Sequence, residues 1–244
     1  MHNKWYSLFK SILGPFLYAY NRPKIYHAER IPATGPAILA SSHQSVVDSF
    51  FLPLLCPRQI TFLAKKEYFV GEGLVGKIQK WFFTSVGQIP VDRNSSAASD
   101  AAVEAARNVL AKGDLFGIYP EGTRSPDGRV YKGKRGVAKI AFETGETIIP
   151  IAMRGSGRAN PIGSWFLRPA KVEVVVCEPI DADAFASAKG LEPGSYEAQR
   201  AVVDHVMHVL AEAVGTDYVD VYAADVKKSL AAGKGYPEGA EPRA

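Results

Sequence analysis

The chain has 244 residues, 47% hydrophobic and 22% charged, enough to bury a large core within a single domain. Its net charge of +4, from 29 basic and 25 acidic residues, leans mildly toward anionic partners such as phosphate or acidic lipid headgroups, and no motif supports binding to nucleic acid. Cys56 and Cys177 are the only cysteines, in neither a CxxC pair nor an even-spaced framework, which argues against disulfide stapling and a zinc knot and fits a reducing compartment.

No uninterrupted apolar run reaches the roughly 18 residues of a membrane-spanning helix. At the N-terminus, Trp5, Leu8, Phe9, Ile12, Leu13, Phe16, Leu17 and Tyr20 follow the recurrence of one helical face, and Pro15 is expected to break or bend it after Gly14. With Lys4, Lys10, Arg22 and Lys24 flanking the stripe, residues 1–24 read as a bent amphipathic helical pair in a membrane interface. Packing of the same stripe on the protein's own core is the competing reading, and both can hold in part.

From residue 25 the chain alternates short apolar runs with helical patterns, which predicts an α/β domain over 25–232. A buried strand over Ala37–Ala40 delivers Ser41, Ser42 and His43, and a helix follows from Asp48 to Leu55. Gln59–Ala64 is a second strand ending at Lys65. A helical stripe carries Leu74, Val75, Ile78, Trp81 and Phe82, then Val86–Val91 is extended. Ser95 caps a helix running to about Ala111, and Leu115–Tyr119 is a strand stopped by Pro120. A helix over 136–143, strands over 147–152 and 171–176, a loop over 155–161, and helices over 195–214 and 218–232 complete the domain. Residues 233–244 read as a disordered tail.

Polar residues fall at the predicted strand ends, where open α/β sheets bind ligands. His43 and Asp48 are spaced so that a carboxylate in the first helical turn can fix the imidazole tautomer, leaving the other nitrogen as a general base. The run Glu121-Gly122-Thr123-Arg124-Ser125 offers backbone N–H groups and a guanidinium fork suited to phosphate, and Lys65 a point charge. Singly, each of these is more often a solvated surface group.

Three other patterns carry less. Gly71-Glu72-Gly73-Leu74-Val75-Gly76 spells GxGxxG but begins several residues after its strand, not at the turn a dinucleotide site needs. His205 and His208 lie three apart with no third ligand spaced for a metal, so no metal site is expected. Trp81-Phe82-Phe83 is either ordinary core or part of an apolar channel.

Taken in order, these residues resemble the glycerolipid acyltransferase family of lysophosphatidate acyltransferases. The first family motif, His and Asp separated by four residues, is matched by His43 and Asp48. The second is matched by Gly87-Gln88-Ile89-Pro90-Val91-Asp92-Arg93, and the third by Tyr119-Pro120-Glu121-Gly122-Thr123-Arg124-Ser125, with Tyr where Phe is usual. The fourth, an apolar run around proline, is matched by Ile148-Ile149-Pro150-Ile151-Ala152, and Lys65 falls where the family places a basic residue. The resemblance spans about 36–153 and leaves the remainder uncovered.

The resemblance implies a single α/β domain with a central mixed sheet, and transfer of an acyl group from acyl-CoA or acyl carrier protein to the sn-2 hydroxyl of 1-acyl-sn-glycerol-3-phosphate, giving phosphatidic acid. His43 is the implied base and Asp48 its orienter. Lys65, Arg93, Glu121, Gly122, Thr123 and Arg124 form the implied phosphate site, though Glu121 is expected to hold its loop by accepting hydrogen bonds. Gly87 and Pro150 would shape the cleft. No cofactor or metal is implied, and no GxSxG elbow supports an acyl-enzyme. The expected location is peripheral or monotopic on the cytoplasmic face of a membrane. The competing readings are another acceptor, such as glycerol-3-phosphate, another lysophospholipid or a glycolipid, and a non-catalytic lipid-binding protein.

Overall fold

The computed structural model describes residues 4–91 and 98–242. In chain order the elements are α1 (Lys4–Asn21), β1 (Lys24–Tyr26), a 3-10 turn (Ala28–Arg30), β2 (Ala37–Ser41), α2 (Asp48–Leu55), β3 (Ile60–Lys65), α3 (Glu67–Val70), α4 (Gly73–Ser85), β4 (Ile89–Val91) and α5 (Ala98–Leu110). They continue with β5 (Leu115–Ile118), β6 (Val130–Tyr131), α6 (Gly136–Thr144), β7 (Ile148–Arg154), α7 (Ser156–Ala159), β8 (Glu173–Val176), α8 (Ala182–Ala188), α9 (Tyr196–Val214), β9 (Tyr218–Val219) and α10 (Ala223–Ala231).

Seven strands form one mixed sheet in the order β1-β8-β7-β2-β5-β3-β4, with the β7–β8 pair antiparallel and every other neighbour parallel. The central strands are covered on both faces, which is why β2 and β7 read as continuous apolar runs instead of alternating ones. Crossovers in a parallel sheet are right-handed, so those running in opposite directions place their helices on opposite faces. β2 leads through α2 to β3, whereas β5 leads through α6 back past β2 to β7. Accordingly Leu17, Phe51 and Leu52 pack with Leu39 on one face, and Val103, Val137, Val206 and Met207 pack with Ile38 and Phe116 on the other. The loops leaving β2 and β5 therefore diverge, and a crevice opens between them at the strands' C-terminal ends.

Several expectations change. The N-terminal pair is one helix, α1, that continues through Pro15. Besides losing a helical hydrogen bond, a proline crowds the Cβ of the residue before it, and Gly14 has none, which removes that part of the clash. That glycine also faces α2, where a Cβ would come within 3.2 Å of Leu54. The core-facing line of α1 is Tyr6, Gly14, Leu17 and Asn21, while Trp5, Leu8, Ile12 and Phe16 of the sequence stripe are 44–62% exposed.

The loop predicted over 155–161 contains α7. The helix expected from Tyr218 starts only at Ala223, because Tyr218–Val219 pairs with Val130–Tyr131. Residues 233–242, expected to be disordered, fold back: Ala240 is buried with Tyr131, Val219 and Val226, and Arg129 donates to the carbonyls of Ala240 and Glu241. Ser95, the expected cap of α5, lies outside the described residues.

Candidate active site

β2 ends at Ser41, and the next six residues turn back on themselves before α2 begins at Asp48. One carboxylate oxygen closes this turn. Asp48 Oδ2 accepts from the backbone N–H groups of Gln44 and Ser45, both at 2.8 Å, and lies 3.0 Å from His43 Nδ1. Asp48 is fully buried, and the His43 side chain is 16% exposed. An ionised carboxylate at Oδ2 requires the proton on Nδ1, which leaves Nε2 as the unprotonated nitrogen. The arrangement is a histidine held through Nδ1 by a buried carboxylate.

The imidazole is held edge and face. Its ring stacks on Tyr119 at 3.9 Å between centroids, and Tyr119 in turn stacks on Phe62 at 5.3 Å. The Tyr119 hydroxyl, absent in the usual phenylalanine, lies 3.2 Å from Ser49 Oγ in α2. Phe62 reaches this stack only because Gly117, its register partner on β5, lacks a side chain: a Cβ there would stand 2.3 Å from the ring. The sequence signal for this support was the glycine inside an apolar strand.

Glu121 joins the two diverging loops. It is 1% exposed, and its oxygens accept from the backbone N–H groups of His43, at 3.2 Å, and Tyr131, at 3.3 Å. Burial pushes its carboxyl up to about 8, against the opposing pull of those N–H groups. Ser125 N–H donates to the His43 carbonyl at 2.7 Å, a second tie between the loops. Glu121 is therefore part of the frame and does not face the crevice as a phosphate ligand. Gly122, at φ +71°, donates its N–H to the Tyr119 carbonyl, so that group is not open to an anion as the sequence suggested.

Thr123 and Arg124 do reach the crevice. Thr123 Oγ1 accepts from Lys227 Nζ at 3.0 Å, which brings a cation from α10 that sequence reasoning missed. Burial and the neighbouring Arg124 guanidinium lower the Lys227 pKa. Nothing local pointed to it, since the two partners are 104 residues apart.

Lys65 ends β3 opposite Val91 of β4, with its side chain outside the described residues. Arg93 lies outside the described residues as well. Gly87, at φ +76°, turns the chain from α4 toward β4. Gln88 beside it accepts from Phe62 N–H at 2.8 Å. Pro150 sits within β7, its carbonyl accepting from Cys177 on the β8 side, so it belongs to the sheet and not to the crevice wall.

A cavity of about 360 Å3 runs from His43, Thr123 and Arg124 into apolar surroundings. Phe9 and Leu13 of α1, Phe50 and Leu54 of α2, Phe62 of β3, and Phe82 and Phe83 of α4 form its walls. The Trp81-Phe82-Phe83 cluster thus divides, with Phe82 and Phe83 lining the cavity and Trp81 meeting Trp5 at 5.2 Å on the outside. Polar groups stand at one end and a hydrocarbon-sized slot behind them.

The remaining sequence patterns have structural explanations. The GxGxxG run is cut off from β3 by α3, and its glycines let Gly76 pack directly on Gly71. His205 stacks on Phe185, and His208 Nδ1 lies 2.7 Å from the Asp204 carbonyl. Among the described residues no group of three or more potential ligands could hold a metal ion, and no helix is long and apolar enough to cross a membrane.

Comparison with known proteins gives a consistent set of relatives. A family model described as acyltransferase matches residues 22–154. A chloroplastic 1-acyl-sn-glycerol-3-phosphate acyltransferase of Arabidopsis thaliana is 31% identical over 67% of this chain and 45% of its own length. A 1-acyl-sn-glycerol-3-phosphate acyltransferase of Bacillus subtilis is 29% identical over 67% of this chain and 76% of its own. The chain spans about half the length of the plant relatives it matches. Among solved structures, the 1-acyl-sn-glycerophosphate acyltransferase of Thermotoga maritima superposes with a TM-score of 0.65 at 26% identity, covering 86% of this chain and 78% of that one.

Proposed function

We propose that this chain, which belongs to the acyltransferase family, moves a fatty acyl group from a thioester donor, acyl-CoA or acyl carrier protein, to the sn-2 hydroxyl of 1-acyl-sn-glycerol-3-phosphate. The observation that carries the reading is the His43–Asp48 pair at the polar mouth of an apolar cavity whose other rim is Thr123 and Arg124. A base, an anion grip and a slot for hydrocarbon meet within one crevice.

In this reading His43 Nε2 takes the proton of the acceptor hydroxyl as its oxygen attacks the thioester carbonyl. Asp48 holds the tautomer and stabilises the imidazolium. The tetrahedral intermediate then expels thiolate, a good leaving group that receives the proton from His43. The product is phosphatidic acid, and no enzyme nucleophile is acylated. Arg124, with Lys65 and Arg93 as expected helpers, holds the acceptor phosphate. The donor's acyl chain occupies the slot between α1, α2 and α4, and the exposed stripe of α1 rests on a membrane surface.

The test is steady-state kinetics with lysophosphatidate and acyl-CoA. His43→Ala is expected to lower kcat by about 10²- to 10⁴-fold. Turnover that survives His43→Ala would remove the base assignment. Arg124→Ala is expected to raise the acceptor KM about tenfold or more with a smaller change in donor KM, and an unchanged acceptor KM would place the phosphate elsewhere.

A further inference from the structure

The segment between α7 and β8 presents its apolar side chains outward. Trp165 is 96% exposed, Phe166 81% and Ile162 45%, the first two more exposed than any other large apolar group among the described residues. A solvated tryptophan at a loop tip exposes apolar surface to water that a partner would cover.

This loop is built, and its tip is held out by hydrogen bonds at its base. Arg168 N–H donates to the Ala159 carbonyl at 2.7 Å and closes the loop at its neck. Ser164 N–H donates to the Pro161 carbonyl at 3.0 Å, and Gly163 at φ +83° makes that turn possible. Asn160, 8% exposed, donates from Nδ2 to the carbonyls of Ser164 and Phe166 and so fixes the tip from inside.

The same loop is joined to two parts of the molecule already described. Asn160 accepts from Ser45 Oγ through its backbone carbonyl at 2.7 Å, which ties the loop to the His43 turn. At its other side, Tyr20 of α1 donates to the Leu167 carbonyl, and Asn21 donates to the carbonyls of Arg168 and Ala170. Phe16, 57% exposed, stacks on Tyr20, so the outward stripe of α1 runs on toward the loop.

Charge separates in the same pattern. Residues 155–170 contain Arg158 and Arg168 and no Asp or Glu, Lys171 just beyond them being paired with Glu173, and residues 4–24 contain Lys4, Lys10, Arg22 and Lys24 and no Asp or Glu. Aromatic tips flanked by cations without carboxylates match the layering of a bilayer with anionic headgroups.

We propose that Trp165 and Phe166 form a second membrane anchor that inserts into an anionic lipid surface beside the active site. An 18-residue helix is roughly 27 Å long. Anchors at both of its ends, Trp5 with Trp81 and then Trp165 with Phe166, lay α1 along the bilayer instead of letting it pivot about one point. The crevice then faces the surface from which a lipid acceptor arrives. This deepens the membrane part of the reading above and rests on it.

The experiment uses the full chain and vesicles of phosphatidylcholine with phosphatidylglycerol. In a W5F/W81F background Trp165 is the sole tryptophan, and its emission is expected to shift to the blue on vesicle addition. The W165A/F166A variant is expected to lower vesicle partitioning about tenfold. It should also keep turnover of a short-chain acceptor dissolved as monomers and lose turnover of acceptor presented in vesicles. Wild-type sedimentation matched by W165A/F166A, with unmoved Trp165 emission, overturns the anchor. So does a defect confined to acyl carrier protein as donor with vesicle binding intact, which would make the tip a protein-docking site. Wild-type protein that sediments with no vesicles overturns the membrane reading along with the anchor. Absence of wild-type turnover on the monomeric acceptor counts against the acyl-transfer reading alone.

Discussion

Helices α1 and α9 carry apolar residues at the same helical spacing and turn them in opposite directions. In α9 the stripe Ala198, Val202, Val203, Val206, Met207, Leu210 and Ala211 is buried against β7 and α6. In α1 half of the stripe, Trp5, Leu8, Ile12 and Phe16, is exposed, Phe9 and Leu13 line the cavity, and the buried line joins Leu17 to Gly14 and Asn21. Periodicity shows that a helix has an apolar face and leaves open what that face meets. The core-facing side of α1 was chosen by groups that hydrophobicity ranks poorly: Gly14 for close approach to Leu54, Lys10 for the Cys56 carbonyl, and Asn21 for two carbonyls of the loop before β8.

Substitutions on the two faces should separate sharply in chemical denaturation. The largest effect is expected from Val206→Asp on α9, where a carboxylate without a partner enters the closed face and should cost at least about 4 kcal/mol or prevent folding. At the crevice between the faces, Glu121→Ala leaves the buried N–H groups of His43 and Tyr131 without an acceptor, for an expected loss of about 2–4 kcal/mol.

The pH dependence of that site has a defined sign. Glu121 is protonated in both states below about pH 4.5, and between 4.5 and about 8 the folded chain retains a proton that the unfolded chain has released. Its contribution therefore falls as pH rises through that window, by an amount on the order of a few kcal/mol. Unfolding curves across that pH range should be flatter for Glu121→Gln than for the parent chain, and equal slopes would contradict the buried state of the carboxyl.

A smaller stability effect, about 1–3 kcal/mol, is expected from Gly117→Ala, because Phe62 must leave its place over β5. Activity should fall further than stability explains, since Phe62, Tyr119 and His43 form one stack. The smallest is the outward face of α1: Ile12→Ser with Phe16→Ser should change stability by less than about 0.5 kcal/mol while reducing vesicle binding. A stability loss comparable to that of Val206→Asp would mean that the stripe is core after all.

Sequence carried the parts of this molecule that are local or deeply buried. β2 and β5 were legible as apolar runs because both faces of the sheet are covered there, and His43 with Asp48 because five residues separate them. β1, β6 and β9 are two or three residues long, too short for any period, and exist through pairing with distant partners. Lys227 reaches Thr123 only after the chain has closed a separation of 104 residues, and the packing of Ala240 similarly depends on Tyr131 and Val219. The frame role of Glu121 was foreseen, whereas the engaged N–H of Gly122 follows from a positive φ that no spacing reveals.

Asp48 gives the dyad a modular character. Its Oδ2 takes all three of its donors from within five residues, so His43 and Asp48 close a single short loop of chain with little entropy to overcome. The Glu121 tie to the same loop spans 78 residues. For protein design this separates two tasks: the turn from Ser41 through the first turn of α2 orients a histidine at a strand end by local contacts alone, while the contacts to the loop after β5 depend on the whole fold.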